Sequence, residues 1–289
     1  MPRPSAEIPA PYSGPRPGVS VVILTYNEEG NIGGAIASCA WSDDVHVLDS
    51  GSTDRTAEIA RGAGASVHTN RFESFGKQRN WAIDNIALKH DWVFHLDADE
   101  RFTPELVAEI AGVLAGGASE AGFYVANQMI LNGVWIRHAS GYPAYQMRLF
   151  HKGRMRFEDH GHGQRETAGS GRIGKLKNAY THHNFSKGLD EWRRRHDRYS
   201  TLEAAQIVES LSKGERPGLS ALFSGDGIAR RRALKSLAAR LPMRAWLRYV
   251  HTVFLKGAML DGAEGLRYAS LLRWYEGEIA RKVRESRSR

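Results

Sequence analysis

The stretch 19-VSVVILTYN-27 decides the fold. After Ser20 its β-branched and apolar residues run from Val21 to Leu24 without a polar break, as a strand covered on both faces requires. Such a strand belongs inside a parallel sheet, and the following residues repeat the pattern. A helix is predicted around 30–40, then the strand 45-VHVLDSG-51, then a helix to about residue 63 with Thr53 and Asp54 as capping residues. The short strand 66-SVHT-69 leads to a helix near 77–90, the strand 92-WVFHLD-97 follows, and 103-TPELVAEIAGVL-114 reads as a helix with Thr at its cap and Pro in its first turn. Four strands alternating with helices predict right-handed crossovers and a largely parallel α/β sheet.

Beyond residue 120 the rhythm changes. FYVANQMILNGVWIR carries an Asn-Gly pair between two strand-like runs, a hairpin signal, and 145-YQMRLF-150 is a further strand candidate. Residues 151–185, rich in His, Gly and Arg, read as loops near a site, and helical patterning dominates from 187, with a Gly/Pro-containing break near 214–227. The expected organisation is a Pro-rich flexible leader over 1–17, an α/β domain over 18–186 and a helical basic extension over 187–289. The leader lacks the layout of a secretory signal, and no run of about 18 uncharged apolar residues predicts a spanning helix.

The chain of 289 residues is 42% hydrophobic and 25% charged, an ordinary globular composition that excludes wholesale disorder. Its one cysteine, Cys39, reads as a small buried apolar residue and points to a reducing compartment. The net charge of +8 is unevenly placed: residues 230–289 hold 15 Lys/Arg against 5 Asp/Glu, whereas the rest balances near neutrality. Within that tail, 243-MRAWLRYVHTVFLKGAML-260 places Trp246, Val250, Val253, Phe254, Gly257 and Leu260 on one arc of a continuous helix and Arg244, Arg248 and Lys256 opposite. This predicts an interfacial helix on an anionic membrane surface, with 228-IARRRALKSLAAR-240 adding charge; packing of the helix on the body is the alternative. The interleaved apolar residues argue against a nucleic-acid partner.

Three acidic or polar clusters, TYNEE (25–29), DSGSTDRT (49–56) and DADE (97–100), fall at the carboxyl ends of predicted strands, where parallel sheets bind ligands. Asp97 and Asp99, two apart, are expected to project together and to need a cation between them; a solvated acidic turn before a helix is the simpler alternative. Asp49, at a strand end, is not explained by helix capping. Neither GxGxxG nor GxxxxGK[ST] is present.

SVVILTYNEEGNI, VLDSGSTDRT, GKQRNWAI and VFHLDADE, in this order and spacing, resemble the family-two glycosyltransferases of the GT-A fold, notably bacterial enzymes that extend lipopolysaccharide cores or other envelope glycans. The resemblance implies a Rossmann-like, mostly parallel sheet flanked by helices. It also implies an inverting transfer of sugar from an NDP-sugar donor to a lipid-linked or lipopolysaccharide-type acceptor, with Mg²⁺ or Mn²⁺. By that likeness Thr25, Tyr26, Asn27 and Glu28 line the nucleotide pocket, Asp49 meets the base or ribose, and Lys77, Arg79 and Asn80 lie near the nucleotide. Asp99 would ligate the metal, Asp97 would sit nearer the ribose or join the metal, and His182 would complete the metal shell. The acceptor's base is sought in 157-FEDHGHGQRE-166, where Glu166 is placed ahead of Asp159; His162 is separated from Glu166 by Gly-Gln-Arg, unlike the His-Glu of the lipopolysaccharide relatives. Arg148 is a further candidate for phosphate or acceptor, and Trp135 for a sugar. The implied location is cytoplasmic, at the inner face of the cytoplasmic membrane. A degenerate nucleotide-sugar-binding protein is disfavoured because the acidic motifs and a base are present, and a nucleotidyltransferase because a Gly-rich phosphate loop is missing near the first strand.

Overall fold

The computed structural model describes residues 12–160, 163–169, 171–212 and 243–287. The expected leader (in part), His162, the break at 214–227 and the basic run 228–240 lie outside the described residues. The chain divides into two compact units, one of residues up to Trp135 and Tyr142–Ser186, the other of Ile136–Gly141 and Lys187–Arg289.

The first unit is α/β. Its strands β1 (Val19–Thr25), β2 (Val45–Asp49), β3 (Ser66–Thr69) and β4 (Trp92–Asp97) alternate with α1 (Ile32–Ala37), α2 (Thr56–Gly62) and α3 (Phe75–Asn85). After β4 come the two-residue β5 (Glu100–Arg101), α4 (Pro104–Ala115), β6 (Gly122–Leu131), β7 (Val134–Trp135), β8 (Ala144–His151), β9 (Met155–His160), β10 (Gly163–Ala168) and β11 (Ile173–His182). The short α5 (Arg137–Ser140) between β7 and β8 belongs to the second unit. The main sheet runs β3-β2-β1-β4-β8-β6-β11-β5. β3, β2, β1 and β4 are mutually parallel, β6 and β11 are parallel to each other, and β8 and β5 run against their neighbours.

Alternation along β1 sets the two faces. Val19, Val21 and Ile23 pack with Ile32 and Ile36 of α1, Ala60 of α2 and Leu106 and Ile110 of α4. Val22 points the other way, into a cluster with Ala82 of α3, Met147 and Phe157. Helices therefore cover one face, and α3 with the separate β9–β10 hairpin covers the other. Cys39 is buried, as expected, and burial pushes its thiol up to about 12.

Three expectations change. Residues 151–185 are largely strand, because Met155 and Phe157 turn inward while Arg156 and Glu158 face solvent, an alternation that the polar composition hides. The helix expected at 77–90 runs Phe75–Asn85, started by the Ser74 side chain accepting from the Lys77 N–H. The helix after Asp54 begins at Thr56, whose N–H donates to Asp54 Oδ1 at 3.0 Å. The Asn-Gly hairpin forms as expected, with Asn132 and Gly133 both at positive φ between β6 and β7.

The second unit is helical: α5, α6 (Leu189–Ser212), α7 (Arg244–Val250) and α8 (Gly262–Arg287). The Asp261 carboxylate accepts from the Ala139 N–H at 2.7 Å, tying α5 to the start of α8. The continuous helix expected over 243–260 is interrupted. α7 passes into a π turn at His251–Leu255, Gly257 takes a φ of 78° that ends it, and a 3₁₀ turn follows at Ala258–Asp261.

Candidate active site

Thr25 pairs with Asp49 across β1 and β2, and Leu24 with Asp97 across β1 and β4. The carboxyl ends of three adjacent parallel strands thus bring together the clusters that are far apart in sequence. The loops above them are laced by side chains. Asn27, at a φ of 52°, accepts from the Thr53 N–H at 2.8 Å, while its own N–H donates to Ser52 Oγ. The Glu28 N–H donates to Thr56 Oγ1 at 2.7 Å, and the Glu28 carboxylate accepts from Asn31 Nδ2. Asp49 is buried and accepts from the Ser52 N–H at 2.9 Å and from the Ser52 hydroxyl, so its carboxylate shapes its own turn. Tyr26 is exposed above this edge.

The DADE segment crosses the sheet. β4 ends at Asp97, a turn carries Ala98 and Asp99, and Glu100 then pairs with His182 where β5 meets β11. Because the strand stops at Asp97, the two-residue alternation no longer applies, and the two aspartates engage different partners. Asp97 accepts from Arg148 Nη2 at 2.7 Å and lies 3.7 Å from Arg79. Asp99 Oδ2 lies 3.3 Å from His182 Nε2, and the Asp99 carbonyl accepts from the His183 N–H at 2.8 Å. Among the described residues no group of three or more His, Cys, Asp or Glu side chains is placed to hold a metal. Asp99 with His182 is a two-donor pair.

Arg148 of β8 is the centre of the charge network. It is fully buried and reaches Asp97, Glu100 Oε1 at 2.5 Å and the His95 carbonyl at 3.3 Å, with Tyr180 beneath its guanidinium. Burial resists ionisation of Asp97, but Arg148 and Arg79 overcome it and hold that carboxyl well below the usual range. For Glu100 burial dominates and, with the Asp97 charge beside it, pushes the carboxyl up to about 7 against the pull of Arg148. His182 is disfavoured as a cation by burial, yet the Asp99 hydrogen bond and the surrounding carboxylates raise it to about 9. From sequence alone Glu100 has no assigned role, and Arg148 reads as a contact for phosphate or acceptor.

Of the three residues read from GKQRNWAI, Lys77 stands apart while Arg79 and Asn80 both meet the β9–β10 hairpin. Lys77 Nζ sits on Glu73 at 2.7 Å, both largely exposed. Arg79 is buried and donates through Nε to Gln164 Oε1 at 2.8 Å, and its Nη1 has no partner among the described residues. Asn80 donates through Nδ2 to the Phe157 carbonyl at 2.7 Å and accepts from the Phe157 N–H at 3.0 Å, clamping the hairpin onto α3. Asn80→Ala is expected to lower stability by about 1–3 kcal/mol, because two backbone groups of a buried residue lose their partners. Urea unfolding with a fall under about 0.5 kcal/mol would show that the clamp is dispensable.

In the hairpin, Gln164 opposes Asp159 and Glu166 opposes Phe157, so these four share the face that meets α3. Glu166 accepts a hydrogen bond from the Tyr124 hydroxyl of β6 and is half-buried. Asp159 is exposed and accepts from the Gly76 N–H at 3.2 Å. Gly76 allows this approach, since a Cβ there would lie 2.8 Å from Asp159 Oδ1. Tyr124 and Gln164 were missed; neither carries a motif, and only strand pairing reveals them. Trp135 meets Tyr142 edge-on at 5.1 Å.

The family model described as Glycosyl transferase family 2 matches residues 20–172. A lipopolysaccharide core biosynthesis glycosyltransferase, LpsC, of Rhizobium meliloti is 27% identical over 70% of this chain and 75% of its own. An uncharacterized glycosyltransferase of Rickettsia bellii is 38% identical over 34% of this chain and 33% of its own. Glucosyl-3-phosphoglycerate synthase of Mycobacterium tuberculosis, solved with Mg²⁺ and uridine diphosphate, superposes with a TM-score of 0.42 at 22% identity, over 60% of this chain and 73% of that one. The family match takes in both loop clusters, the DADE turn and the hairpin, more than half of the 289 residues, and the chain is a member of glycosyl transferase family 2.

Proposed function

We propose that the protein is an inverting, metal-dependent glycosyltransferase that moves a sugar from an NDP-sugar to a lipid-linked or lipopolysaccharide-type glycan acceptor at an anionic membrane surface. The observation that carries this is the Asp99–His182 pair at 3.3 Å on the sheet edge where the strand ends converge. A carboxylate oxygen and an imidazole nitrogen that gives up its proton on binding, both partly open to solvent, fit a divalent ion whose other positions would go to phosphate oxygens and water. Asp99 and His182 would hold Mg²⁺ or Mn²⁺, which when bound supplies Lewis-acid stabilisation of charge on the departing diphosphate.

The protein's own groups do the rest. Thr25, Tyr26, Asn27, Glu28 and Asp49 form the nucleotide side, with their loops already fixed by the hydrogen bonds between 25–29 and 49–56. Asp97, neutralised by Arg148 and Arg79, holds the turn and faces the ribose rather than the metal. The unpartnered Nη1 of Arg79 is a buried donor suited to an anion. Glu166 takes the acceptor hydroxyl's proton as that oxygen attacks the anomeric carbon, and the Tyr124 hydroxyl keeps the carboxylate in position. One displacement inverts the anomeric centre.

Similarity to LpsC supports the acceptor class, and the basic C-terminal charge supports the membrane surface. The test is release and transfer of sugar from a panel of NDP-sugars with Mg²⁺, Mn²⁺ or chelator; no turnover of any donor with either ion would overturn the reading. Within it, Glu166→Gln is expected to lower kcat by about 10²–10⁴-fold with donor affinity unchanged. The same loss from Asp159→Asn, with Glu166→Gln active, would move the base to Asp159.

A further inference from the structure

In the second unit the amphipathic segment is turned the opposite way from a helix packed on a soluble body. Arg244 is buried and donates through Nε to Glu276 of α8 at 2.8 Å, and Arg248 and Lys256 are partly covered. The apolar side chains point out instead: Trp246, Leu247, Val250, Phe254, Leu255 and Leu260 are all exposed, Phe254 at 63%, Leu260 at 71% and Leu255 at 79%. Val253 alone of the expected apolar arc's large side chains is buried. Scattered exposed apolar residues need no explanation, but seven large ones, Met259 among them, fall within fifteen positions and make a patch that water does not favour.

We propose that this patch is a membrane-insertion surface, with the α7–π turn–3₁₀ segment lying in the plane of an anionic bilayer and Trp246, Phe254, Leu255 and Leu260 entering the boundary between headgroups and acyl chains. It rests on the membrane-surface part of the function proposed above, and names the residues and the mode. Three observations select lipid as the occupant. The stretch 243–260 holds no acidic residue, and while Arg244 is buried on Glu276, Arg248 and Lys256 stay partly exposed, so its rim is positive and complements anionic headgroups. A second copy would bring the same cationic rim against itself. The Arg273 guanidinium lies 4.6 Å over the Trp246 ring, placing a cation and an indole side by side as at a headgroup layer. No helix among the described residues is long and apolar enough to cross a membrane, so the segment lies on the bilayer.

Insertion differs from electrostatic adhesion in its response to salt. The full chain, floated with phosphatidylglycerol/phosphatidylcholine vesicles, is expected to stay bound at about 1 M salt, where the screening length is about 3 Å. Phe254→Ser/Leu255→Ser/Leu260→Ser is expected to lower retention by at least about tenfold. Lipids brominated in the acyl chain are expected to quench tryptophan emission of the natural chain, and Trp246→Phe to remove most of that quenching. Release by salt, undiminished retention of the triple variant or quenching independent of Trp246 would each overturn the proposal. So would a dimer that the triple variant dissolves without any binding to vesicles. Donor hydrolysis in solution is measured on the same variants: its persistence when flotation fails leaves the transferase reading standing, and its absence in the natural chain sinks that reading whatever the vesicles show.

Discussion

Asp99→Asn is expected to cut sugar transfer by about a thousandfold and, at neutral pH, to lower the unfolding midpoint only as far as the loss of one ion pair requires. The amide is the same size as the carboxylate and the turn keeps its backbone hydrogen bonds, but His182 loses the charge that stabilises its cation. The Asp99 carbonyl still accepts from His183, and Arg101 still donates to the carbonyls of Ala98 and Glu100. What is lost is the negative oxygen 3.3 Å from His182. His182→Ala is expected to cost about 10–100-fold, since the carboxylate keeps part of the ion's binding. The double variant should be little worse than Asp99→Asn alone if, as proposed, the two groups share one ion. The measurement is kcat with the best donor at saturating Mn²⁺, together with calorimetric titration of the nucleoside diphosphate. Transfer within a few-fold of the natural rate in Asp99→Asn would refute the assignment of the ion to this pair.

The parallel half of the sheet is legible because β1, β2 and β4 are buried on both faces and so are mostly apolar, with only Ser20, His46 and His95 as polar residues before their carboxyl ends. The turn chemistry is equally local: Asn132-Gly133 specifies its own hairpin. β9 and β10 are hidden in the sequence because a hairpin with one covered face needs only alternate apolar residues, and Met155 and Phe157 supply them among charges. The continuous helix over 243–260 differs for another reason. A helical wheel assumes one unbroken helix, but Gly257 in the left-handed region ends it, and the wheel cannot say which side packs on α8.

The site was legible as residue types and opaque as pairings. The acids of DADE announce themselves, yet their partners come from Arg148, 51 positions after Asp97, and His182, 83 positions after Asp99. These separations close only through the sheet order, with β8 beside β4 and the end of β11 beside β5. Lys77, Arg79 and Asn80 lie within four positions, but the helix turns Lys77 out to Glu73 while Arg79 and Asn80 both meet the β9–β10 hairpin, Arg79 also reaching Asp97.

Arg148→Met is expected to be among the most damaging single changes in the sheet, lowering stability by about 3–5 kcal/mol. The magnitude follows from what stays behind. Arg148 is 1% exposed and Glu100 0%, so removing the guanidinium leaves a carboxylate in a region that water does not reach. Asp97 retains Arg79 at 3.7 Å, but Glu100 has no second arginine within salt-bridge reach among the described residues. Glu100→Gln alone should be milder, since an amide oxygen can still accept from the Asp97 N–H, which now donates to Glu100 Oε2 at 2.9 Å. Added to Arg148→Met, it is expected to recover about half of the loss by removing the stranded charge. Arg148→Lys should rescue poorly: one ammonium cannot span Asp97, Glu100 and the His95 carbonyl together. Against a total stability of about 5–15 kcal/mol, urea unfolding resolves these differences. Because the same network holds the turn that carries Asp99, Arg148→Met should also lose transfer at temperatures where it is still folded. A loss under about 1 kcal/mol with transfer intact would show that the buried charges brace neither the sheet nor the site.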